Sequence, residues 1–120
     1  MIQILPVREG ELPDFCRERG LPETESLRAC AARQGELLLG WCAVEAGEPC
    51  SVLGVAAEDA ALADGLLRAA LFPLYQGGTA GYRFLKAPSC PLPGGYVTSG
   101  EGSLAGLFAP CDQREGSDHE

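Results

Sequence analysis

Between Gly35 and Phe84 the chain passes through two apolar strand-forming runs, an apolar helix and a further strand with only short breaks between them. The runs Glu36-Leu37-Leu38-Leu39-Gly40-Trp41-Cys42-Ala43-Val44 and Cys50-Ser51-Val52-Leu53-Gly54-Val55 flank Ala46-Gly47-Glu48-Pro49, a turn composition, and so predict a hairpin. Residues 51–56 are almost continuously apolar, as expected of a strand covered on both faces. The helix expected over 60–72 carries Leu62, Leu66, Ala69 and Ala70, with Leu67 and Leu71 alongside, a stripe that needs a sheet to cover it. Pro73 lacks a backbone donor and is expected to kink or end that helix, with Gln76-Gly77-Gly78 as the stop. Tyr82-Arg83-Phe84-Leu85 is the returning strand. This order predicts an α+β chain with layers around one core.

The flanking segments are weaker. Residues 2–7 read as a strand broken by Gly10, and a helix follows with Pro13 in its first turn and Asp14 at its positive end. Leu12, Phe15, Cys16 and the stem of Arg19 share a face of that helix, which Gly20 and Pro22 end. Glu23-Thr24-Glu25-Ser26 is expected to form another helical turn. Propensity slightly favours helix over 27–33, but the strand beginning at Leu37 needs an antiparallel neighbour, so 27–33 is read as a strand with a turn at Gln34-Gly35. After Pro88 the composition is rich in Gly and Pro: residues 89–95 and 99–102 read as loop, 96–98 as a short extended piece and 103–108 as a last apolar element. One domain is expected over 1–111, with an acidic, solvated tail over 112–120.

Charge removes whole classes of partner. A net charge of −8 argues against nucleic acid and anionic membranes, both of which need clustered Lys and Arg. No basic leader or membrane-length apolar run is visible, so a cytoplasmic location is expected. The six cysteines lack any C-x-x-C pair and are expected to be reduced. Cys30 and Cys42 lie in apolar strands and read as small buried hydrophobes, whereas Cys90 and Cys111 lie in loops and are the candidates for a reactive thiol. The single histidine, His119, sits in the tail, which leaves no clustered metal ligands and no base for a Cys-His or Ser-His pair.

Gln34-Gly35-Glu36-Leu37-Leu38-Leu39-Gly40-Trp41, followed by Val52-Leu53-Gly54-Val55 and Gly65-Leu66-Leu67-Arg68-Ala69-Ala70-Leu71, resembles the GNAT family of N-acetyltransferases over roughly residues 1–87. The shared features are the central hairpin with its glycine before an aromatic, the strand after it, and the middle of the following helix. The resemblance implies a mixed, mostly antiparallel central sheet of about five to six strands with helices on both faces, an αβα arrangement. It also implies acetyl-CoA as cofactor and a small-molecule amine as acceptor. The cofactor would lie in the splay between residues 52–57 and 82–85, gripped by a Q/R-x-x-G-x-G/A turn whose N–H groups cradle a pyrophosphate at a helix start. The resemblance places that site at Val55, Ala57, Ala61, Ala63 and Gly65.

The turn departs from the pattern it resembles. Glu58 stands at the Gln/Arg position and Ala61 at the first glycine; only Ala63 conforms. A Cβ at Ala61 hinders close approach of phosphate, and Glu58 and Asp59 repel it. The simpler role for these acids is to cap the helix. The family's tyrosine acid has one counterpart in the C-terminal segment, Tyr96, which lies in no helical pattern and reads as a loop tyrosine packed on the sheet. Trp41 reads as core, and Arg83 and Lys86 as cleft-facing or solvent charges. Three functions follow: an acetyl-CoA-dependent N-acetyltransferase, with its catalytic residue unassigned; a non-catalytic GNAT-like binding module, including a homodimer through a sheet edge or the loop over 87–102; and a thiol role for Cys90 or Cys111.

Overall fold

A computed structural model describes residues 1–108; Cys111, His119 and the tail over 112–120 lie outside the described residues. The elements are β1 (Gln3–Pro6), α1 (Leu12–Arg19), β2 (Leu27–Gln34), β3 (Leu37–Glu45), β4 (Cys50–Ala56), α2 (Ala60–Gln76), β5 (Gly81–Phe84), β6 (Glu101–Ser103) and α3 (Leu104–Phe108). All six strands form one mixed sheet in chain order, β1-β2-β3-β4-β5-β6. Only β4 and β5 pair in parallel, joined through α2; every other neighbour is antiparallel.

The central hairpins follow the alternation of their side chains. Along β3, Cys42 and Val44 enter the core under α2, while Trp41 and Ala43 enter a second core with Phe15 of α1 and Ala29 of β2. The two main helices thus lie on opposite faces of the sheet. Val52 and Val55 are three residues apart, a spacing that puts side chains on opposite faces of a regular strand. Both nevertheless lie under α2, because β4 carries an extra residue where Ala43 pairs with Gly54 and Val44 with Val52. Gly40 permits the close contact between β3 and the start of α2: a Cβ there would stand 2.6 Å from the Ala56 carbonyl oxygen and 3.0 Å from Leu66 Cδ1. Leu66, Leu67 and Leu71 are fully buried, each contributing roughly 1.5–3 kcal/mol of apolar transfer.

Phe15 and Cys16 of α1 are buried, Gly20 takes the left-handed cap position, and the Arg19 guanidinium lies 3.9 Å from the centre of the Phe15 ring. Trp41 meets Phe15 edge to face at 5.8 Å, a packing role. Cys30 and Cys42 are buried in the main core.

Four local expectations need correction. The segment 23–26 is not a helical turn but a loop with a turn at 25–26. The hydroxyls of Thr24 and Ser26 donate to the Glu45 carboxylate at 2.8 and 3.4 Å, which ties this loop to β3. Helix α2 does not end at Pro73 but continues to Gln76, and Gly77 ends it within the expected Gln76-Gly77-Gly78 stop. The missing N–H costs one hydrogen bond, while continuing the helix buries Leu74 and stacks Tyr75 on Phe108 at 5.3 Å. Residues 96–98 pair with no strand, in keeping with a short piece outside the sheet; the late strand is β6, which begins within the segment 99–102 read as loop. Its pattern is too short to read, and it is held by β5, whose buried Tyr82 lies across Gly102. The last apolar element over 103–108 is α3, apart from Ser103, which closes β6.

Candidate functional site

The site implied by the sequence lies where β4 and β5 part. Their pairing covers Cys50↔Tyr82, Ser51↔Arg83 and Val52↔Phe84, and ends with the Leu85 N–H donating to the Val52 carbonyl at 3.1 Å. Strand β4 continues alone on that side to Ala56. The β2–β3 ladder turns the backbone of Cys42 toward β2, so its partner Val55 occupies a non-hydrogen-bonded position and aims its N–H and C=O into the splay.

That splay is not open. Residues 85–100 leave β5 and fold back over it with no regular structure. The Cys90 thiol donates to the Val55 carbonyl at 3.8 Å, and Leu92 and Tyr96 pack against the main core. Two stronger bonds fasten the far end of this strap. The Tyr96 hydroxyl donates to Asp64 Oδ1 of α2 at 2.7 Å, and the Val97 N–H donates to the Tyr82 hydroxyl at 2.9 Å. Asp64 Oδ1 also accepts from Arg68 Nε at 2.9 Å, and Arg68 reaches on to the Leu107 carbonyl at 2.8 Å. One aspartate therefore joins the strap to α2, and its arginine partner joins α3 to the same helix. Burial, and then the Asp64 carboxylate that receives its hydrogen bond, push the Tyr96 hydroxyl well above its ordinary 10.0. Such a hydroxyl stays protonated and is a poor acid toward a leaving thiolate at neutral pH.

The start of α2 is equally committed. Asp59 is the N-cap in extended conformation, and its Oδ1 accepts the Leu62 N–H at 2.8 Å while its carbonyl accepts from Ala63. Glu58 is exposed and makes no hydrogen bond among the described residues. The expected cofactor residues do not form one surface. Val55 is buried beneath α2, Ala57 is half-buried against the core, and Ala61 is exposed on the first turn. Ala63 is fully buried, and Gly65 faces β1, where a Cβ would stand 3.0 Å from Ile4 Cδ1. Arg83 and Lys86 are exposed.

No family model, curated protein or solved structure matches this chain. The chemistry of its own residues therefore carries the functional reading.

Three contributors escaped the sequence reading. Glu48, in the β3–β4 turn, accepts from the Ala80 and Gly81 N–H groups at 3.0 Å each and fixes the start of β5. The Asp64–Arg68 pair had a visible signal, its i,i+4 spacing on a predicted helix. The Tyr82 hydroxyl had none, because its partner lies fifteen positions away across the strap. Among the described residues no three His, Cys, Asp or Glu side chains converge as a metal site would require, and no helix is long and apolar enough to cross a membrane.

Proposed function

We propose that this chain keeps a GNAT-like framework and works as a binding module rather than as an acetyl-CoA-dependent N-acetyltransferase. The framework half of this reading draws support from the meander β1–β4, the crossing through α2 and the single parallel pair that parts beyond Val52. The module half rests on the self-occupied splay: the chain's own strap covers Val55, the position at which a bound cofactor would pair. The Asp59 cap points the same way, since it takes a helix-start N–H and sets a negative charge where a pyrophosphate would sit.

The acetyltransferase reading keeps one specific support. The hydrogen bond from Cys90 to Val55 is long and its donor weak, so an amide donor of a pantetheine arm would satisfy that carbonyl better if the strap lifted. Acetyl-CoA titration separates the two. A ligand at one hundred times its dissociation constant stabilises a fold by about 2.7 kcal/mol. The module reading expects no saturable rise in melting temperature with millimolar acetyl-CoA, and a rise of several degrees would overturn it. A homodimer through β1 is a poor alternative, because the outward backbone of that edge belongs to Ile4 and Pro6 and the proline has no N–H to offer.

A further inference from the structure

We propose that the cleft at the opposite end of the sheet is a docking groove for a basic peptide segment with interspersed apolar residues. The proposal rests on the reading of the chain as a binding module and names what the module binds. The cleft lies between the end of β1, the start of α1, the loop before β2 and the C-terminal end of α2, with a volume of about 770 Å³. That volume falls within the roughly 300–1,000 Å³ of ligand-binding cavities. Val7, Leu12 and Pro13 give it an accessible apolar wall, with Leu27 and Leu74 buried behind it, and Glu9, Glu23 and Glu25 supply carboxylates along it.

None of these three glutamates has an ion-pair or hydrogen-bond partner among the described residues. Thr24, which stands between Glu23 and Glu25, is held to Glu45 through its hydroxyl, so the loop presenting both acids is anchored to the sheet. A further negative contribution comes from the backbone. Helix α2 ends beside the cleft at Gly77 with no basic residue in its last turn, so no cation of its own faces the negative end of its dipole, while the Gly77, Thr79 and Gly78 N–H groups cap the Pro73, Leu74 and Tyr75 carbonyls. Among the described residues Arg28 is the sole cation lining the cavity. Apolar lining, carboxylates and helix end together favour a ligand that alternates cationic and apolar groups.

Other occupants fit less well. A second copy of the chain carries a net charge of −8 and is repelled. The chain's own terminal residues include Asp112, Glu115, Asp118 and Glu120 and share the cleft's sign. Position separates the groove from the splay: the two sites flank opposite ends of α2, whose 17 residues span about 25 Å.

The test uses the whole chain and a fluorescently labelled peptide of alternating Lys and Leu, followed by anisotropy at low and at physiological salt. Glu23→Gln with Glu25→Gln is expected to weaken binding at least about tenfold, and Glu36→Gln with Glu58→Gln, at the other end of the sheet, less than about twofold. All four side chains are exposed, so both variants should retain the parent melting temperature. Replacing the peptide's Leu by Ser is expected to weaken binding as well. Equal losses in the two variants would assign binding to the overall charge and overturn the groove. The groove also falls if binding does not saturate, if a Glu-Leu peptide binds equally well, or if spermine competes as well as the unlabelled peptide. Saturable acetyl-CoA binding with peptide binding intact would sink the module reading of the splay and leave the groove standing. Loss of the peptide signal with no response to acetyl-CoA would do the reverse.

Discussion

Tyr96→Phe removes one oxygen and tests whether the strap over the splay is fastened where the geometry places its strongest bond. The lost bond is a hydroxyl donating to a carboxylate at 2.7 Å, a type worth roughly 1.5–3 kcal/mol. Two features pull the expectation to the low end. Asp64 keeps its Arg68 partner, and its side chain is 30% exposed, so water can replace the missing donor. A loss of about 1–1.5 kcal/mol follows, and with an unfolding entropy near 2.1 cal/mol/K per residue it lowers the melting temperature of a 120-residue chain by about 4–6 °C. Urea unfolding measures the same quantity as a fall in midpoint at constant slope. Alkylation of Cys90 supplies the local readout: if strap opening limits access to the thiol, its rate rises about five- to thirteenfold in the variant, the same free energy expressed as an opening equilibrium. Asp64→Asn combined with Tyr96→Phe in a double-mutant cycle should return a coupling of about 1 kcal/mol. A variant within about 0.3 kcal/mol of the parent, with no coupling, would mean that Tyr96 is only a surface tyrosine and that the strap is held by other contacts.

Gly102→Ala places a Cβ 2.5 Å from Tyr82 Cζ, and because Tyr82 is 1% exposed the ring has nowhere to move; a loss of about 1–3 kcal/mol in urea unfolding is expected, and an unchanged midpoint would contradict the packing of β5 on β6. Asp59→Ala should cost about 1 kcal/mol through the lost cap and Asp59→Asn much less; equal losses in the two would show that charge rather than the Leu62 hydrogen bond matters. Burial pushes the Cys50 thiol up to about 11 and the Cys42 thiol higher still, from an ordinary 9.0. Their raised values favour the protonated fold, so this stability is fully present below pH 9 and is lost as pH rises from 9 toward the folded values, by up to about 1.4 kcal/mol per pH unit for each thiol. Urea midpoints at pH 7 and 10 check this, and equal midpoints would refute it.

The readable parts of the fold were those with a repeating pattern. The apolar run over 37–44 beside a turn and the apolar stripe over 60–72 each point to one kind of element, and both elements formed there. Residues 27–33 satisfied two periods, and the need of β3 for a partner decided between them. Pro73 misled because the rule against proline counts one lost hydrogen bond, whereas the folded helix also buries Leu74. Strand β6 was illegible because Glu101, Gly102 and Ser103 have no strand signal apart from the neighbour they pair with.

For the candidate site, the residues alone fixed the chemistry of the turn after β4. Acids at 58 and 59 and a Cβ at 61 disfavour a bound phosphate wherever they are folded, since charge and side-chain bulk belong to the residues themselves. Only the tertiary structure decided that Asp59 rather than Glu58 fills the helix start and that the strap closes the splay. It alone brought Glu9, Glu23 and Glu25 around a single cleft with the end of α2. These arrangements depend on groups distant in sequence meeting in space, which no local period encodes.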